Sequence, residues 1–225
     1  MNNGLRILKR RRAVDLDLAR QFLNIPVANV SDCMWRMTAA GPRLRPMHAG
    51  GRMAGPALTI KTRPGDNLMI HKALMLAQPG DVIVVDAGGE LTNALIGEIM
   101  VGDAILKKLG GIVINGAIRD SEEIRSMSFP VFAAGVTHRG PYKDGPGEIN
   151  VPIAIDGMVI EPGDLIIGDG DGLLCVPFDD VQALLQAAHK KQDVEAKMIA
   201  EIADGSFDRT WVDAALHRLG CHIET

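Results

Sequence analysis

Three short apolar runs, separated by segments of helical spacing, most constrain what this chain can fold into. Each run is rich in β-branched or small apolar residues and is bounded by Gly, Pro or Asp, which is typical of a buried strand. The runs are DVIVVDAG (81–88), GIVING (111–116) and PVFAAGV (130–136). Between them, residues 92–110 predict a long helix that begins at Thr92, and residues 119–127 predict a short one. Strands that alternate with helices in this way indicate parallel βαβ units.

The parts of the chain on either side have a different character. Upstream, residues 14–25 predict a helix that a proline stops, and Ser31 or Asp32 could cap the start of the next helix. Downstream, short alternating strands joined by Asp-Gly turns over residues 151–177 indicate hairpins rather than crossover helices. From Asp179 onward the sequence is helical and carries mixed charge.

These patterns predict one α/β domain that spans residues 1–225. Its core is expected at about residues 25–178, where parallel strands are followed by antiparallel ones. A helical C-terminal tail is expected at residues 179–225. The chain is 47% hydrophobic and 23% charged, so it has enough apolar material for such a core.

Charge and motif content exclude several classes of function. A net charge of −4 and a pI near 5.9 argue against a nucleic-acid partner. No apolar stretch approaches the roughly 20 residues of a membrane span, and no signal peptide is evident, so we expect a cytoplasmic protein without a membrane partner. The glycine spacings of nucleotide-binding loops are absent, which predicts no nucleotide cofactor. The three cysteines and six histidines are scattered, without the spacing of a disulfide framework or a zinc site.

The segment INGAIRDSEEI (114–124) carries the clearest candidate for chemistry. Arg119 and Asp120 follow a predicted buried strand, and ligands of α/β sheets collect where strands end. Arginine offers a planar fork for a carboxylate, and aspartate is a hard oxygen ligand for Mg²⁺ or Mn²⁺. A purely structural alternative is equally concrete: Asp120 caps a helix, and Arg119 pairs with Glu122 or Glu123. This segment alone does not decide between the two.

The segment ELTNALIGEIM (90–100) favours the functional alternative. Gly97 and Glu98 place a small residue and an acid among apolar neighbours, and a glycine lets another group approach the backbone closely. Free N–H groups nearby could hold an anion or a developing enolate oxygen. Glu98 precedes Arg119 by twenty-one positions, one helix-plus-strand length, so both can meet at one edge of the sheet.

Taken together, these segments resemble the RraA-like family, in the branch of the 4-hydroxy-4-methyl-2-oxoglutarate / 4-carboxy-4-hydroxy-2-oxoadipate aldolases. The resemblance covers roughly residues 25–178 and is strongest in DAGGELTNALIGEIM, GIVINGAIRD and GPGEINVPIAIDGMVIEPGDLIIGDGDGLLCVP. Its pattern is an acid, twenty residues, Arg-Asp, two residues and another acid, here Glu98, Arg119-Asp120 and Glu123. It implies a three-layer ββα sandwich of the swivelling-domain type, assembled as a homotrimer or homohexamer.

The resemblance also implies a site for a divalent metal, Mg²⁺ or Mn²⁺, and pyruvate. Asp120 would bind the metal, whose remaining shell is largely water, and Glu98 and Glu123 would hold metal-bound waters. Arg119 would grip pyruvate oxygens. Backbone amides around Gly97, Ile99 and Met100 would hold the pyruvate carboxylate. The resemblance further implies that a neighbouring subunit donates an acid from its C-terminal helix to the site, here Glu195. At position 98 this chain has Glu where aldolases of the branch can have Asp.

The implied activity is that of a class II pyruvate aldolase acting on 4-hydroxy-2-oxo acids. Cleavage leaves the enolate of pyruvate, whose charge a metal and Arg119 would stabilise. A base, expected to be a metal-associated water, must take the alcohol proton. Oxaloacetate decarboxylation passes through the same enolate and is expected as a side activity.

Two rival functions remain open. A Schiff-base aldolase would need a lysine of lowered pKa, and Lys61 and Lys72 are possible candidates. A non-enzymatic alternative comes from the same family, since some members bind and inhibit the endoribonuclease RNase E. The loop GVTHRGPYKDG also has two readings: His138, Arg139 and Lys143 could contact the distal carboxylates of a substrate, or they could form a solvated loop or subunit contact.

Overall fold

The computed structural model describes residues 4–224, and these residues fall into two compact units, 4–188 and 189–224. The strands are β1 (Leu5–Ile7), β2 (Arg45–Pro46), β3 (Met53–Thr62), β4 (Val82–Asp86), β5 (Ala94–Ile96), β6 (Gly111–Ile118), β7 (Val131–Val136), β8 (Gly147–Ile149), β9 (Ile153–Ile155), β10 (Met158–Ile160), β11 (Leu165–Gly168) and β12 (Leu173–Val176). The helices are α1 (Leu16–Gln21), α2 (Val27–Cys33), α3 (Leu68–Leu76), α4 (Glu98–Leu106), α5 (Ser121–Arg125), α6 (Val181–Asp204) and α7 (Thr210–Arg218).

The main sheet has the strand order β1-β8-β3-β4-β6-β7-β2. Strands β3, β4, β6 and β7 are parallel neighbours, and helices α3, α4 and α5 lie in the connections between them. This confirms the predicted βαβ units. The short strand β5 adds a parallel partner at the carboxyl end of β6, which places the start of α4 at the same edge of the sheet.

The downstream strands form the predicted antiparallel hairpins. β9 pairs with β10 across an Asp-Gly turn, and β11 pairs with β12. β11 also runs antiparallel to the first half of β3, so β3 belongs to both sheet regions. Its long apolar run from Met53 to Ile60 suits that double burial.

Alternation along the strands divides the first unit into layers. On β4, Ile83 and Val85 point into a core shared with α3 and α4, whereas Val82 and Val84 point into a core shared with β9–β12. The main sheet is therefore sandwiched between helices and a second β layer, which confirms the predicted ββα sandwich. A third core packs α1, α2 and the first turns of α6 against the outer face of β11 and β12.

Two helix starts differ from the sequence prediction. Ser31 and Asp32 do not cap a helix, because α2 begins at Val27, directly after Pro26, and both residues lie near its end. The helix predicted from Thr92 begins only at Glu98, because Ala94–Ile96 form a buried strand paired with β6. An apolar run of this length can form either a helix or a strand, and the elements that pack around it determine which one forms. Within residues 4–224, no helix is long and apolar enough to span a bilayer.

Candidate active site

A pocket of about 370 Å³ opens at the carboxyl end of β6, where β5, α3, α4 and the loop after β7 converge. This volume is in the usual range for small-molecule sites, roughly 300–1,000 Å³. Its lining residues come from sequence segments up to 76 positions apart: Asn67, His71, Ala94, Leu95, Ile96, Gly97, Ile99, Met100, Arg119, Asp120, Gly140, Pro141 and Lys143. The pocket therefore brings together Arg119, Asp120, Gly97, Ile99 and Met100, which the sequence analysis had singled out.

The carboxylate of Asp120 caps helix α4, not the helix that follows it. Asp120 precedes α5 with a left-handed backbone (φ 55°), and its side chain makes no capping hydrogen bond to α5. Instead, its Oδ2 accepts the backbone N–H of Glu98 at 3.0 Å. The alternative in which Asp120 caps its own helix is therefore wrong. The carboxylate lies at the positive end of α4, an electrostatically favourable place for a negative charge.

Gly97 allows the Asp120 carboxylate to approach the start of α4 closely. It is the residue before α4, with an extended backbone (φ −146°, ψ −169°), so the glycine is not required by backbone strain. A Cβ at this position would overlap with Oδ2 of Asp120 and would lie 3.0 Å from Cγ of Arg119. The expectation that a glycine here admits a close neighbour is confirmed, and the neighbour is the Asp120 carboxylate.

The first turn of α4 presents an unused donor to the pocket. The N–H groups of Met100 and Val101 both donate to the carbonyl of Gly97, at 3.1 and 3.2 Å. In the described part of the chain, the N–H of Ile99 makes no hydrogen bond. Because the N-terminus of a helix favours anions, Ile99 N–H is suited to a carboxylate. The prediction that Met100 N–H also binds the substrate stays a prediction, and that group already has an intrachain acceptor.

Arg119 lies beside Asp120 at the mouth of the pocket. Its Nε is 3.7 Å from Oδ2 of Asp120, and its side chain is 44% exposed. Among residues 4–224 it forms no ion pair with Glu122 or Glu123, so that structural alternative is wrong. Within the same residues its Nη groups make no hydrogen bond to the protein, which leaves a planar fork for an anion.

The three remaining predicted acids lie outside the pocket lining. Glu98 and Glu123 are exposed, at the first turns of α4 and α5, and only the backbone N–H of Glu98 contacts Asp120. Glu195 belongs to the second unit, where its Oε1 lies 3.2 Å from Nζ of Lys191. Their proposed roles toward metal-bound water or a neighbouring subunit stay predictions.

The loop after β7 closes one side of the pocket. Gly140, Pro141 and Lys143 line it, whereas His138 and Arg139 are exposed and lie outside the lining. A Cβ at Gly140 would lie 3.5 Å from Nη1 of Arg119, so the loop passes close to the guanidinium. Of the three basic residues in this loop, Lys143 is the one that lines the pocket.

A buried carboxylate holds this loop against α3. Asp66 is fully buried, and its Oδ2 accepts the N–H groups of Asp144 and Gly145 at 2.7 and 2.8 Å. Its Oδ1 accepts the N–H of Leu68, at the start of α3, at 2.9 Å. One side chain thus fixes the loop that carries Lys143 relative to the helix that carries His71.

Two pocket residues, Asn67 and His71, escaped the sequence analysis. Asn67 is buried, and its Nδ2 donates to the carbonyl of Leu95 at 2.8 Å. Its Oδ1 is buried without a hydrogen-bond partner in the described chain, an arrangement that a donor in the pocket would relieve. Burial, assisted by the nearby Lys143, lowers the pKa of His71 below its ordinary value. The sequence does contain a signal for these two pocket residues. They are polar and lie four positions apart, about one helical turn, within the largely apolar segment DNLMIHKAL.

The site fits a hydrated hard cation better than a zinc-type cage. Among residues 4–224 there is no cluster of three or more His, Cys, Asp or Glu side chains that could enclose a metal. Oδ1 of Asp120 has no protein partner in this part of the chain. Mg²⁺ keeps several waters and commonly binds through one or two carboxylates together with substrate oxygens. Asp120 therefore fits a cation that is held jointly by one carboxylate, water and an anionic ligand.

The fold and pocket define an α/β protein with a site suited to a small anion and a hard cation. The RraA-like family model, described as Aldolase/RraA, matches residues 27–175. The chain therefore belongs to the RraA-like family, which confirms the resemblance noted in its sequence.

The names of similar proteins are those of aldolases and of a ribonuclease-inhibitor family. A Halalkalibacterium halodurans protein provisionally named a 4-hydroxy-4-methyl-2-oxoglutarate aldolase is 38% identical over 204 residues, covering 90% of this chain and 97% of the relative. A Thermus thermophilus 4-hydroxy-4-methyl-2-oxoglutarate aldolase is 36% identical over 126 residues, covering 56% of this chain and 76% of that one. Streptomyces coelicolor RraAS2, described as an unusual member of the RNase ES inhibitor RraA protein family, superposes with a TM-score of 0.73 at 26% identity, covering 83% and 98% of the two chains. The aldolase names support aldolase activity in the family.

Proposed function

We propose that this chain is a divalent-metal-dependent, class II aldolase that releases pyruvate from 4-hydroxy-2-oxo di- and tricarboxylic acids. The observation that carries the proposal is the Asp120 carboxylate, held at the N-terminus of α4 in the same pocket as Arg119, whose Nη groups make no hydrogen bond within residues 4–224. The names of the two aldolase relatives support the same reaction class. Decarboxylation of oxaloacetate, which yields the same enolate, is proposed as a side activity.

Each group around the pocket has a part in binding the keto acid. The N–H of Ile99 donates to the substrate carboxylate at the positive end of α4. The Nη groups of Arg119 donate to its keto and carboxylate oxygens. Oδ1 of Asp120 is the oxygen that would hold Mg²⁺ or Mn²⁺, and the bound cation supplies Lewis-acid polarisation of the keto group. Lys143 pairs with a distal carboxylate on the far part of the substrate.

Cleavage of the C3–C4 bond develops negative charge near the hydrogen-bond donors of the pocket. As the C3–C4 bond breaks, its electron pair forms the enolate of pyruvate, and the charge develops on the keto oxygen. Arg119 faces that oxygen and stabilises the charge; loss of one such donor typically costs about 10²–10³ in kcat. Gly140 and Pro141 line the side of the pocket next to Arg119.

The test is metal-dependent pyruvate release by the full chain. The protein is treated with EDTA and assayed with 4-hydroxy-4-methyl-2-oxoglutarate, 4-carboxy-4-hydroxy-2-oxoadipate and oxaloacetate, before and after addition of Mg²⁺ or Mn²⁺. We expect EDTA to abolish pyruvate release and either cation to restore it. In Asp120→Asn, restoration should fail, and calorimetry should detect weaker cation binding. Asp103→Asn is the matched control, since Asp103 is a half-exposed acid on α4 outside the pocket.

Two outcomes would contradict this proposal. Activity that resists EDTA and is trapped by borohydride with pyruvate would indicate a Schiff-base aldolase. Lys61 and Lys72 do not line the pocket in the described structure, so Lys143 would then be the lysine to test. Absence of pyruvate release from all three substrates would exclude the aldolase.

The second candidate is inhibition of an RNase E-type ribonuclease. The similarity to Streptomyces coelicolor RraAS2 over 83% of this chain is the observation in its favour. A binding assay between this chain and RNase E, beside the pyruvate assay, separates the two functions. Tight binding without pyruvate release would favour the inhibitor.

A further inference from the structure

Asn67 lies where four elements around the pocket meet. It directly precedes α3, and its backbone N–H donates to the carbonyl of Tyr142, in the loop after β7, at 3.0 Å. Its side-chain Nδ2 donates to the carbonyl of Leu95, in β5, at 2.8 Å, and lies 3.6 Å from Sδ of Met100, in α4. With 3% of its surface exposed, this one residue joins α3, the loop, β5 and α4.

The two side-chain contacts of Asn67 lie on either side of the junction between β5 and α4. Leu95 is two residues before Gly97, where the chain changes from strand to helix, and Met100 is three residues after it. A backbone carbonyl and a thioether are both acceptors, so it is the NH₂ group of the amide that faces them. The side chain of Asn67 therefore bridges the junction.

The junction carries both backbone donors on which the proposed site depends. Glu98 N–H donates to Oδ2 of Asp120 at 3.0 Å, and Ile99 N–H makes no hydrogen bond within residues 4–224. The carbonyl of Leu95 lies four residues before Ile99, where a continuous helix would place the acceptor for this N–H. That carbonyl accepts from Asn67 instead, and Ile99 N–H is left for an anion.

One feature sets Asn67 apart from a residue that serves only the stability of the core. Its Oδ1 is buried and has no hydrogen-bond partner in the described chain. A buried acceptor without a donor is destabilising, and a leucine of similar volume would not have one. An asparagine at this position is therefore better explained by what its NH₂ group holds than by stability.

We propose that Asn67 is a positioning residue of the aldolase site, an assignment that rests on the proposed function. Its amide holds the β5–α4 junction so that Glu98 N–H keeps the Asp120 carboxylate in place and Ile99 N–H stays available to the substrate carboxylate. Asn67 acts through the junction and needs no contact with the reacting atoms.

The experiment compares wild type with Asn67→Leu and Asn67→Asp as full-length protein, since both substitutions remove the NH₂ donor. Amide exchange measured by NMR should be about 5-fold faster or more at Glu98, Met100 and Val101, whose N–H groups are bonded in the first turn of α4, and unchanged in β11 and β12. Calorimetry with Mg²⁺ should show pyruvate binding weakened by about 10-fold or more, because a hydrogen bond to a charged group is disturbed. The kcat/KM for pyruvate release from 4-hydroxy-4-methyl-2-oxoglutarate should fall by about 10²-fold.

Stability separates positioning from a general structural role. In Asn67→Leu, loss of the bond to the Leu95 carbonyl is offset by removal of the unpaired Oδ1, so unfolding should occur at nearly the same urea concentration as in wild type.

Asn150→Asp is the matched control. Asn150 also donates to a backbone carbonyl and has a buried Oδ1 without a partner in the described chain, but it lies outside the pocket lining. Aspartate tolerates the left-handed backbone of this position (φ 58°). Asn150→Asp should match wild type in the exchange of the α4 amides and in pyruvate binding.

The outcomes distinguish failure of this assignment from failure of the proposed function. Unchanged exchange at the start of α4 in both Asn67 variants would overturn the assignment. Faster exchange throughout the chain with a matching loss of stability would also overturn it, because that pattern indicates a structural role. So would pyruvate binding equal to that of wild type in both variants. If wild type neither binds nor releases pyruvate, the proposed function falls, whereas faster exchange confined to α4 in the variants would still support the role of Asn67 in holding the junction.

Discussion

At the scale of single residues, Gly97 is the position where one added atom most directly disturbs the site. A Cβ there would overlap with Oδ2 of Asp120, so Gly97→Ala must displace the carboxylate from the N-terminus of α4. We expect kcat/KM for pyruvate release to fall by about 10²-fold, since small displacements of positioned groups have effects of this size. Steady-state kinetics and cation titration would measure the loss.

Gly102→Ala is the matched control for that substitution. Gly102 is an exposed residue of the same helix, and a Cβ there would meet no atom within 4 Å. Alanine should stabilise the helix by about 0.5–1 kcal/mol and leave activity unchanged. Equal activity in Gly97→Ala and Gly102→Ala would mean that the position of Asp120 does not matter for the reaction.

At the scale of elements, the sequence was sufficient for β4, β6, β7 and the downstream hairpins, but not for the junction that forms the site. The runs at 81–88, 111–116 and 130–136 became β4, β6 and β7 because their residues are buried on both faces. Ala94–Ile96 is equally apolar but was assigned to a helix, since its pairing with β6 depends on a partner more than twenty residues away. The change of element at Gly97 is visible only once that pairing exists.

Long-range contacts also explain which site residues the sequence could and could not identify. Arg119 and Asp120 follow a strand, a position that is readable from local pattern. The orientation of Asp120 toward α4 is not readable, because the acceptor and the donor, Glu98 N–H, are 22 positions apart. His71 and Lys143 lie on a helix and a loop that Asp66 holds together. The hydrogen bonds of Asp66 to the loop join residues 78 and 79 positions apart.

The link between α3 and the loop gives a prediction for Asp66. In Asp66→Asn, the amide group must turn its NH₂ toward one of the backbone N–H groups that the carboxylate now accepts, at Leu68, Asp144 or Gly145. A buried donor without an acceptor costs about 1–3 kcal/mol, so we expect stability to fall by that amount. Because the loop carries Lys143, KM should rise more than kcat falls.

Chemical denaturation, hydrogen exchange at the amides of Asp144 and Gly145, and steady-state kinetics would test this prediction. Asp144→Asn serves as control, since the Asp144 side chain is exposed in the same loop and its backbone N–H is unaffected. If Asp66→Asn unfolds at the same denaturant concentration as wild type, and its loop amides remain protected, then Asp66 does not anchor the loop.

At the scale of the whole molecule, the second unit leads to a prediction about assembly. Residues 189–224 leave large apolar side chains exposed, including Ile199 (67%), Trp211 (64%) and Leu219 (77%). Exposed apolar surface of this kind is typical of faces that meet another protein. The same unit carries Glu195, the acid that the family resemblance assigns to a neighbouring subunit's site. We therefore expect copies of this chain to associate, with Glu195 of one copy serving the pocket of another.

Co-expression of two inactive variants tests this arrangement. Arg119→Ala removes the guanidinium from the pocket, and Glu195→Gln removes the donated acid, so each variant alone should lose most pyruvate release. If the two residues of one site come from different copies, random mixing in a cyclic assembly gives about one quarter of the sites both native residues. Activity should then recover to about that fraction of wild type. If both residues of a site come from the same copy, every site carries one substitution and no activity returns. A single-copy mass by light scattering, together with full activity of Glu195→Gln, would remove the basis for the shared site altogether.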